Sequence, residues 1–79
     1  MLKSINKYLK NNEFSINILE NIIDINNFID IIVLEPNKIV LSIPSRVLKI
    51  YGSDLTINKL LDNEITITGT IKAMEFADV

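Results

Sequence analysis

The sequence feature that most constrains the fold is an alternation of apolar and polar residues that occurs twice between residues 47 and 76, each time together with a glycine. In the last part of this stretch Ile65 and Ile67 fall on one side of an extended segment, with threonines between them. A period of two is typical of a half-buried β-strand, because successive side chains of a strand point to opposite faces. The two glycines are Gly52 and Gly69, and each predicts a bulge, a kink or a close backbone approach.

The same period continues upstream, where turn residues separate short apolar segments. These turn signals recur at intervals of roughly eight to ten positions, which is typical of short antiparallel strands. Residues 28–34 are the most continuously apolar segment, so we expect them at the centre of the sheet. The sequence therefore predicts a mainly β fold: a single small antiparallel meander sheet, partly rolled. We expect strands at residues 14–18, 22–25, 28–34, 39–43, 47–60 and 64–76, the fifth being either one bent strand or two short ones.

Residues 1–12 differ from the rest of the chain, because they contain three lysines and no acid. Their apolar side chains fall on one face of a helix and their lysines on another, which predicts a short N-terminal amphipathic helix before a single β domain at residues 13–79. We favour packing of its apolar face on an open face or end of the sheet, and peripheral contact with an anionic membrane is the alternative. The apolar residues are Leu2, Ile5 and Leu9, and the basic residues are Lys3, Lys7 and Lys10.

The chain lacks both cysteine and histidine. This composition removes disulfides, thiolate metal sites, the commonest metal ligand and the usual general base near neutral pH. We therefore expect a non-enzymatic protein that needs no cofactor and no metal. A two-carboxylate hydrolytic site could be drawn from Asp24, Asp30 or Glu35, but we interpret these acids as solvated charges because no histidine, aromatic platform or glycine-rich loop accompanies them.

Charge and aromatic content bear on nucleic-acid binding. The chain beyond residue 12 contains five bases and ten acids. The two tyrosines and three phenylalanines of the whole chain are scattered along it. A nucleic-acid groove should instead be basic and lined by clustered aromatic rings, so we expect no nucleic-acid partner. A helix followed by about five twisted strands nevertheless has the outline of Sm-like small β-barrel proteins that bind RNA as rings. An Sm-like ring is therefore our alternative to the leading hypothesis.

Two signals bear on localisation. The longest apolar run, at residues 31–34, is far shorter than the ~20 residues of a membrane-spanning helix. The lysines near the N-terminus would interrupt the apolar part of a signal peptide. Together they predict a cytoplasmic protein.

Residues 14–76 resemble the YabP/YqfC family of sporulation proteins, and they are most similar to its YqfC branch. The resemblance rests on two alternating segments, each with a glycine, and on a terminal aromatic residue. No catalytic motif belongs to this pattern. The family-signature residues are Ile50, Gly52, Leu55, Ile57, Ile67, Gly69, Ile71 and Phe76.

This resemblance implies a non-enzymatic protein of endospore formation, in the cytoplasm of the mother cell. It also implies a link with an integral membrane protein at the outer forespore membrane, during assembly of the spore envelope or coat. An unpaired sheet edge is another candidate surface. Because so small a chain buries limited surface, its core leaves two alternatives open: support from a partner, or self-association into a homo-oligomer. The partner-contact residues that we predict are Lys3, Lys7, Lys10, Thr66, Thr68, Thr70 and Lys72.

Overall fold

The computed structural model describes residues 13–78, and every regular element in that part of the chain is a β-strand. The strands form one antiparallel sheet in the order β1-β2-β6-β5-β4-β3, and this sheet does not close. The predicted antiparallel β fold is thus confirmed, while the predicted helix at residues 1–12 lies outside the described residues. The strands are β1 (Ser15–Leu19), β2 (Ile22–Asn26), β3 (Asp30–Glu35), β4 (Lys38–Ile43), β5 (Arg46–Leu60) and β6 (Glu64–Asp78).

The two longest strands, β5 and β6, form a central hairpin that carries the other strands. Each has 15 residues. The first half of β5 pairs with β4, and the first half of β6 pairs with β2. Because β5 and β6 run in opposite directions, these two additions attach at opposite ends of the hairpin. Residues 47–60 are therefore part of one bent strand, which was the first of the two predicted alternatives.

The central hairpin bends where its register shifts. Shifts occur after Tyr51, after Ser53 and after Ile57, and such irregularities bend a strand and increase its twist. The bend brings the half of the sheet that contains β1 and β2 against the half that contains β3 and β4. This arrangement agrees with the prediction of a partly rolled sheet.

A single core lies between the two halves of the sheet. Ile23 of β2 and Ile39 of β4 are fully buried in the same cluster, although their strands do not pair. A single open sheet layer would leave one side of such residues in water, so their complete burial shows that the halves pack face to face. The rest of this buried cluster is Ile25, Phe28, Leu41, Ile43, Leu48, Ile50, Leu55, Ile65 and Ile67.

The position of β3 corrects one prediction. Residues 28–34 were expected at the centre of the sheet, but β3 lies at its edge and pairs only with β4. Ile32 and Leu34 are each 55% exposed, so the continuous apolar run does not reflect burial on both faces. The two central strands are β5 and β6. In addition, β2 and β3 lie on opposite sides of the central hairpin, so the sheet departs from a plain meander at this one connection.

Both glycines lie at the bend, where two backbones approach closely. A Cβ atom on Gly52 would stand 2.0 Å from a main-chain carbonyl oxygen of β6. Gly69 has a φ of 134°, and its Cβ would stand 2.6 Å from a carbonyl oxygen of β5. The predicted close approach at both glycines is therefore confirmed. Hydrogen bonds also connect the bend to two turns. The Gly52 N–H donates to the carbonyl of Asn37 in the β3–β4 turn, and the Gly69 N–H donates to the carbonyl of Asn21 in the β1–β2 turn, each at 3.2 Å.

Candidate functional site

The residues that carry the family resemblance lie mostly in the core or at the bend, so they build the fold. Phe76 is the exception, because it is 44% exposed. The guanidinium carbon of Arg46 lies 4.4 Å from the centre of its ring, within the range of a cation–π contact. The others are the buried Ile50, Leu55 and Ile67, the half-buried Ile57 and Ile71, and the two glycines at the bend.

The polar face predicted for the last strand is only partly open to solvent. Thr66 and Thr68 are half-buried, whereas Thr70 and Lys72 are exposed. The hydroxyl of Thr66 donates to Oδ1 of Asp24 on β2 at 2.8 Å, so this side chain is engaged within the sheet. Partner contact at these positions stays a prediction. The lysines of the same prediction, Lys3, Lys7 and Lys10, lie outside the described residues.

The Thr66 hydrogen bond can be tested by Thr66→Val, which keeps the side-chain shape and removes the donor. We expect the free energy of unfolding to fall by about 1 kcal/mol, because the Asp24 carboxylate loses a partner. Thr70→Val is the matched control at an exposed position of the same strand, and valine is at least as good a strand residue there. Urea denaturation of both variants measures the difference. Equal midpoints would contradict a stabilising role for the bond.

The three acids that the sequence offered for a hydrolytic site are not brought together. Asp30 and Glu35 mark the two ends of β3, which are about 16 Å apart at the usual rise of a strand. Asp24 lies on β2, where its carboxylate accepts the Thr66 hydroxyl. Among residues 13–78 there is no group of three or more acids, histidines or cysteines placed to hold a metal ion. The non-enzymatic character of the protein stays a prediction.

An open groove lies at one end of the folded sheet, between the start of β3 and the β5–β6 turn. Its volume of about 770 Å³ falls within the ~300–1,000 Å³ that is usual for binding sites. Ile29, Leu60 and Leu61 are exposed there to 62%, 52% and 54%. The groove therefore offers apolar surface bordered by carboxylates. Its lining consists of Phe28, Ile29, Asp30, Ile31, Leu60, Leu61, Asp62 and Asn63.

Backbone hydrogen bonds hold the two walls of this groove. On one wall the Ile29 N–H donates to the carbonyl of Ser42 at 2.7 Å, which ties the segment before β3 to β4. On the other wall the Leu61 N–H donates to the carbonyl of Glu64 at 2.8 Å and closes the turn after β5. The strand prediction for residues 47–60 did not indicate this groove. The available signal was the adjacent pair Leu60 and Leu61, because neighbouring residues of a strand cannot both face the core.

Among the strands of residues 13–78, β1 and β3 are the two outer ones, and each pairs with a single neighbour. Most exposed large apolar side chains outside the groove lie on or beside these strands. On β3, the sequence contains neither lysine nor proline, which natural sheets use to discourage edge pairing, and its one irregularity is a bulge between Ile31 and Val33. The exposed apolar residues of this group are Ile18, Leu19, Ile22, Ile32 and Leu34.

Comparison with models of protein families identifies the family of this chain. The model of the YabP family matches residues 10–79, which include all six strands. The chain belongs to the YabP family. Comparison of this YabP-family protein with curated proteins and with solved structures gave no match. Within residues 13–78, the structure of this family member contains no helix that is both long and apolar enough to cross a membrane.

Proposed function

We propose that this YabP-family protein acts in endospore formation without catalysis, by binding a protein partner during assembly of the spore envelope or coat. Family membership over residues 10–79 is the observation that supports a role in sporulation. The more detailed proposal follows the YqfC branch: the protein works in the cytoplasm of the mother cell, and its partner is an integral membrane protein at the outer forespore membrane.

The β3 edge is the surface that we propose for this partner. It is six residues long, its backbone groups on one side pair with no strand among the described residues, and Ile32 and Leu34 stand exposed beside them. An extended segment of a partner can add a strand to such an edge, with main-chain hydrogen bonds giving affinity and alternate side chains giving specificity. The polar outer face of β2 and β6 offers less, because Asp24 and Thr66 are bonded to each other.

Gene deletion followed by complementation tests this proposal. In a spore-forming bacterium that carries this gene, the deletion strain should form fewer heat-resistant spores, and the unchanged gene should restore them. Ile32→Lys places a charge on the β3 edge and should fail to restore them, because it weakens strand addition by about tenfold or more, equivalent to ~1.4 kcal/mol. Leu19→Lys, at a position that is 67% exposed on the opposite edge, is the matched control and should complement fully.

Two results would count against the proposal in different ways. A normal yield of heat-resistant spores in the deletion strain would contradict the role in sporulation. Full complementation by Ile32→Lys, with the variant protein folded and present at normal amount, would contradict the use of the β3 edge while leaving the sporulation role standing.

A further inference from the structure

We propose that the groove between the start of β3 and the β5–β6 turn is the docking site for residues 1–12 of the same chain. This inference goes beyond the proposed function and does not depend on it. Five of the eight residues that line the groove are apolar, and Ile29, Leu60 and Leu61 are each more than half exposed. Apolar side chains grouped around a concave surface mark a binding site more often than single exposed ones do.

The described chain begins at the rim of this groove. The carbonyl of Glu13 accepts a hydrogen bond from the side-chain amide of Asn27. The main-chain N–H of Asn27 in turn donates to the carbonyl of Asn63, which lines the groove. Asn27 makes both bonds with a φ of 66°, a conformation that asparagine tolerates better than most residues. Glu13 is therefore joined to the sheet beside the groove, so the residues that precede it need no long linker to reach the groove.

Charge complementarity favours this occupant. Two of the residues that line the groove are acids, Asp30 and Asp62, and none is a base. Residues 1–12 contain three lysines and no acid, whereas the rest of the chain has a balance of minus five. The nearby Lys59 is already paired with Glu64, at 3.1 Å between Nζ and Oε2. Opposite potentials on the two surfaces favour their association and disfavour like-charged competitors.

The apolar residues of the segment 1–12 also match the apolar lining of the groove. Leu2, Ile5 and Leu9 recur at spacings of three and four, so one aliphatic stripe can enter the groove while the lysines stay at its rim. Because the segment is tethered, its effective concentration at the groove is of millimolar order, and modest contacts suffice to hold it. The stripe cannot occupy the groove and a membrane surface at once, which separates this proposal from the membrane alternative.

Engineered cysteines test the docking directly, because the sequence has no cysteine of its own. The full chain with Ile5→Cys and Leu61→Cys should form a disulfide within one chain under oxidised glutathione. The matched control carries the same pair with Leu2→Ser and Leu9→Ser, which keeps the tether and removes most of the stripe. We expect the disulfide to form about tenfold more slowly in the control, since only the docked segment exceeds the tethered baseline. Non-reducing electrophoresis and mass spectrometry measure both rates.

Three other outcomes would overturn the proposal. Equal rates in the two proteins would show that the tether alone brings the cysteines together. Disulfides between chains would show that the groove takes a segment of a second copy. Failure of the disulfide to form when anionic phospholipid vesicles are present from the start of the oxidation, with the protein sedimenting with them, would show that the membrane is the preferred occupant.

A second measurement keeps the proposal falsifiable if the cysteine pair perturbs the sheet. In the cysteine-free full chain, Leu2→Ser with Leu9→Ser should shift the amide NMR signals of Ile29 and Leu61. The signal of Ile18, at the far end of β1, should remain unchanged. Unchanged signals at all three positions would overturn the docking.

Discussion

Replacing Gly52 with alanine is expected to remove about a third or more of the protein's free energy of unfolding. The new Cβ would stand 2.0 Å from the carbonyl oxygen of Thr70 and 3.0 Å from a methyl carbon of Leu55. A Cβ position does not depend on rotamer, and the carbonyl belongs to the paired strand, so relief requires separation of β5 and β6 at the bend. We expect a loss of about 4 kcal/mol or more, against a total stability of roughly 4–12 kcal/mol for a chain of this length.

Far-UV circular dichroism and a thermal melt of Gly52→Ala measure this effect. Ser53→Ala is the matched control, because it changes the neighbouring residue at the same bend without adding a Cβ atom. The control should change stability by no more than about 1 kcal/mol. A cooperative transition of Gly52→Ala at nearly the unaltered temperature would show that the bend can open without cost, contrary to the close approach at this position.

The second large effect is expected for Ile23→Ala. Ile23 and Ile18 stand directly opposite each other on β2 and β1, but Ile23 is fully buried whereas Ile18 is 60% exposed. Removal of three buried carbons from the core between the two halves should cost about 2–5 kcal/mol, because the lost burial is compounded by a cavity. Ile18→Ala removes the same atoms from a mostly wet site and should cost less than about 1 kcal/mol.

Urea titration with linear extrapolation compares these two isoleucines in one assay. The pair is well matched because both residues lie in the same hairpin, in strands of equal length, and the chemical change is identical. Similar losses of stability for the two variants would contradict the face-to-face packing of the two halves of the sheet.

Local pattern was sufficient to predict most of the strands and some of their turns. The alternation of Ile39, Leu41 and Ile43 predicted the buried face of β4, and all three are buried. The adjacent pair Asn26 and Asn27 is typical of a turn, because asparagine tolerates positive φ, and Asn27 has a φ of 66°. The turn at Ser45 shows the limit of this reasoning, because a serine adopts the φ of 68° that glycine would favour.

The neighbour of each strand could not be predicted in the same way. Pairing of β2 with β6 joins residues such as Asp24 and Thr66, which are 42 positions apart, and no local pattern encodes that contact. A continuous apolar run is compatible with a strand at the centre of a sheet and also with an exposed strand at its edge. The run in β3 therefore predicts a central strand as readily as an edge strand, and β3 lies at the edge.

The sequence pattern did not predict the groove, and the physical reason is a register shift in β5. The register of β5 against β6 shifts between Ile57 and Lys59, and each such shift changes which of the following side chains face the core. A prediction from the sequence alone cannot include this shift, so it assigns side chains after Ile57 to the core face by the same period of two as before it. Leu61 then falls in phase with Leu55 and Ile57 and is predicted to face the core, whereas it is 54% exposed at the groove.

The attachment of β1 and β2 to the last strand also determines when this protein can fold. During synthesis the β1–β2 hairpin leaves the ribosome first, but the strand that must cover it, β6, follows every other strand. Isolated two-stranded hairpins are marginal in water, so Ile23 and Ile25 remain without their core until β6 arrives. Such non-local closure gives a high contact order and slow folding, and this sheet cannot be completed before β6 has been synthesised.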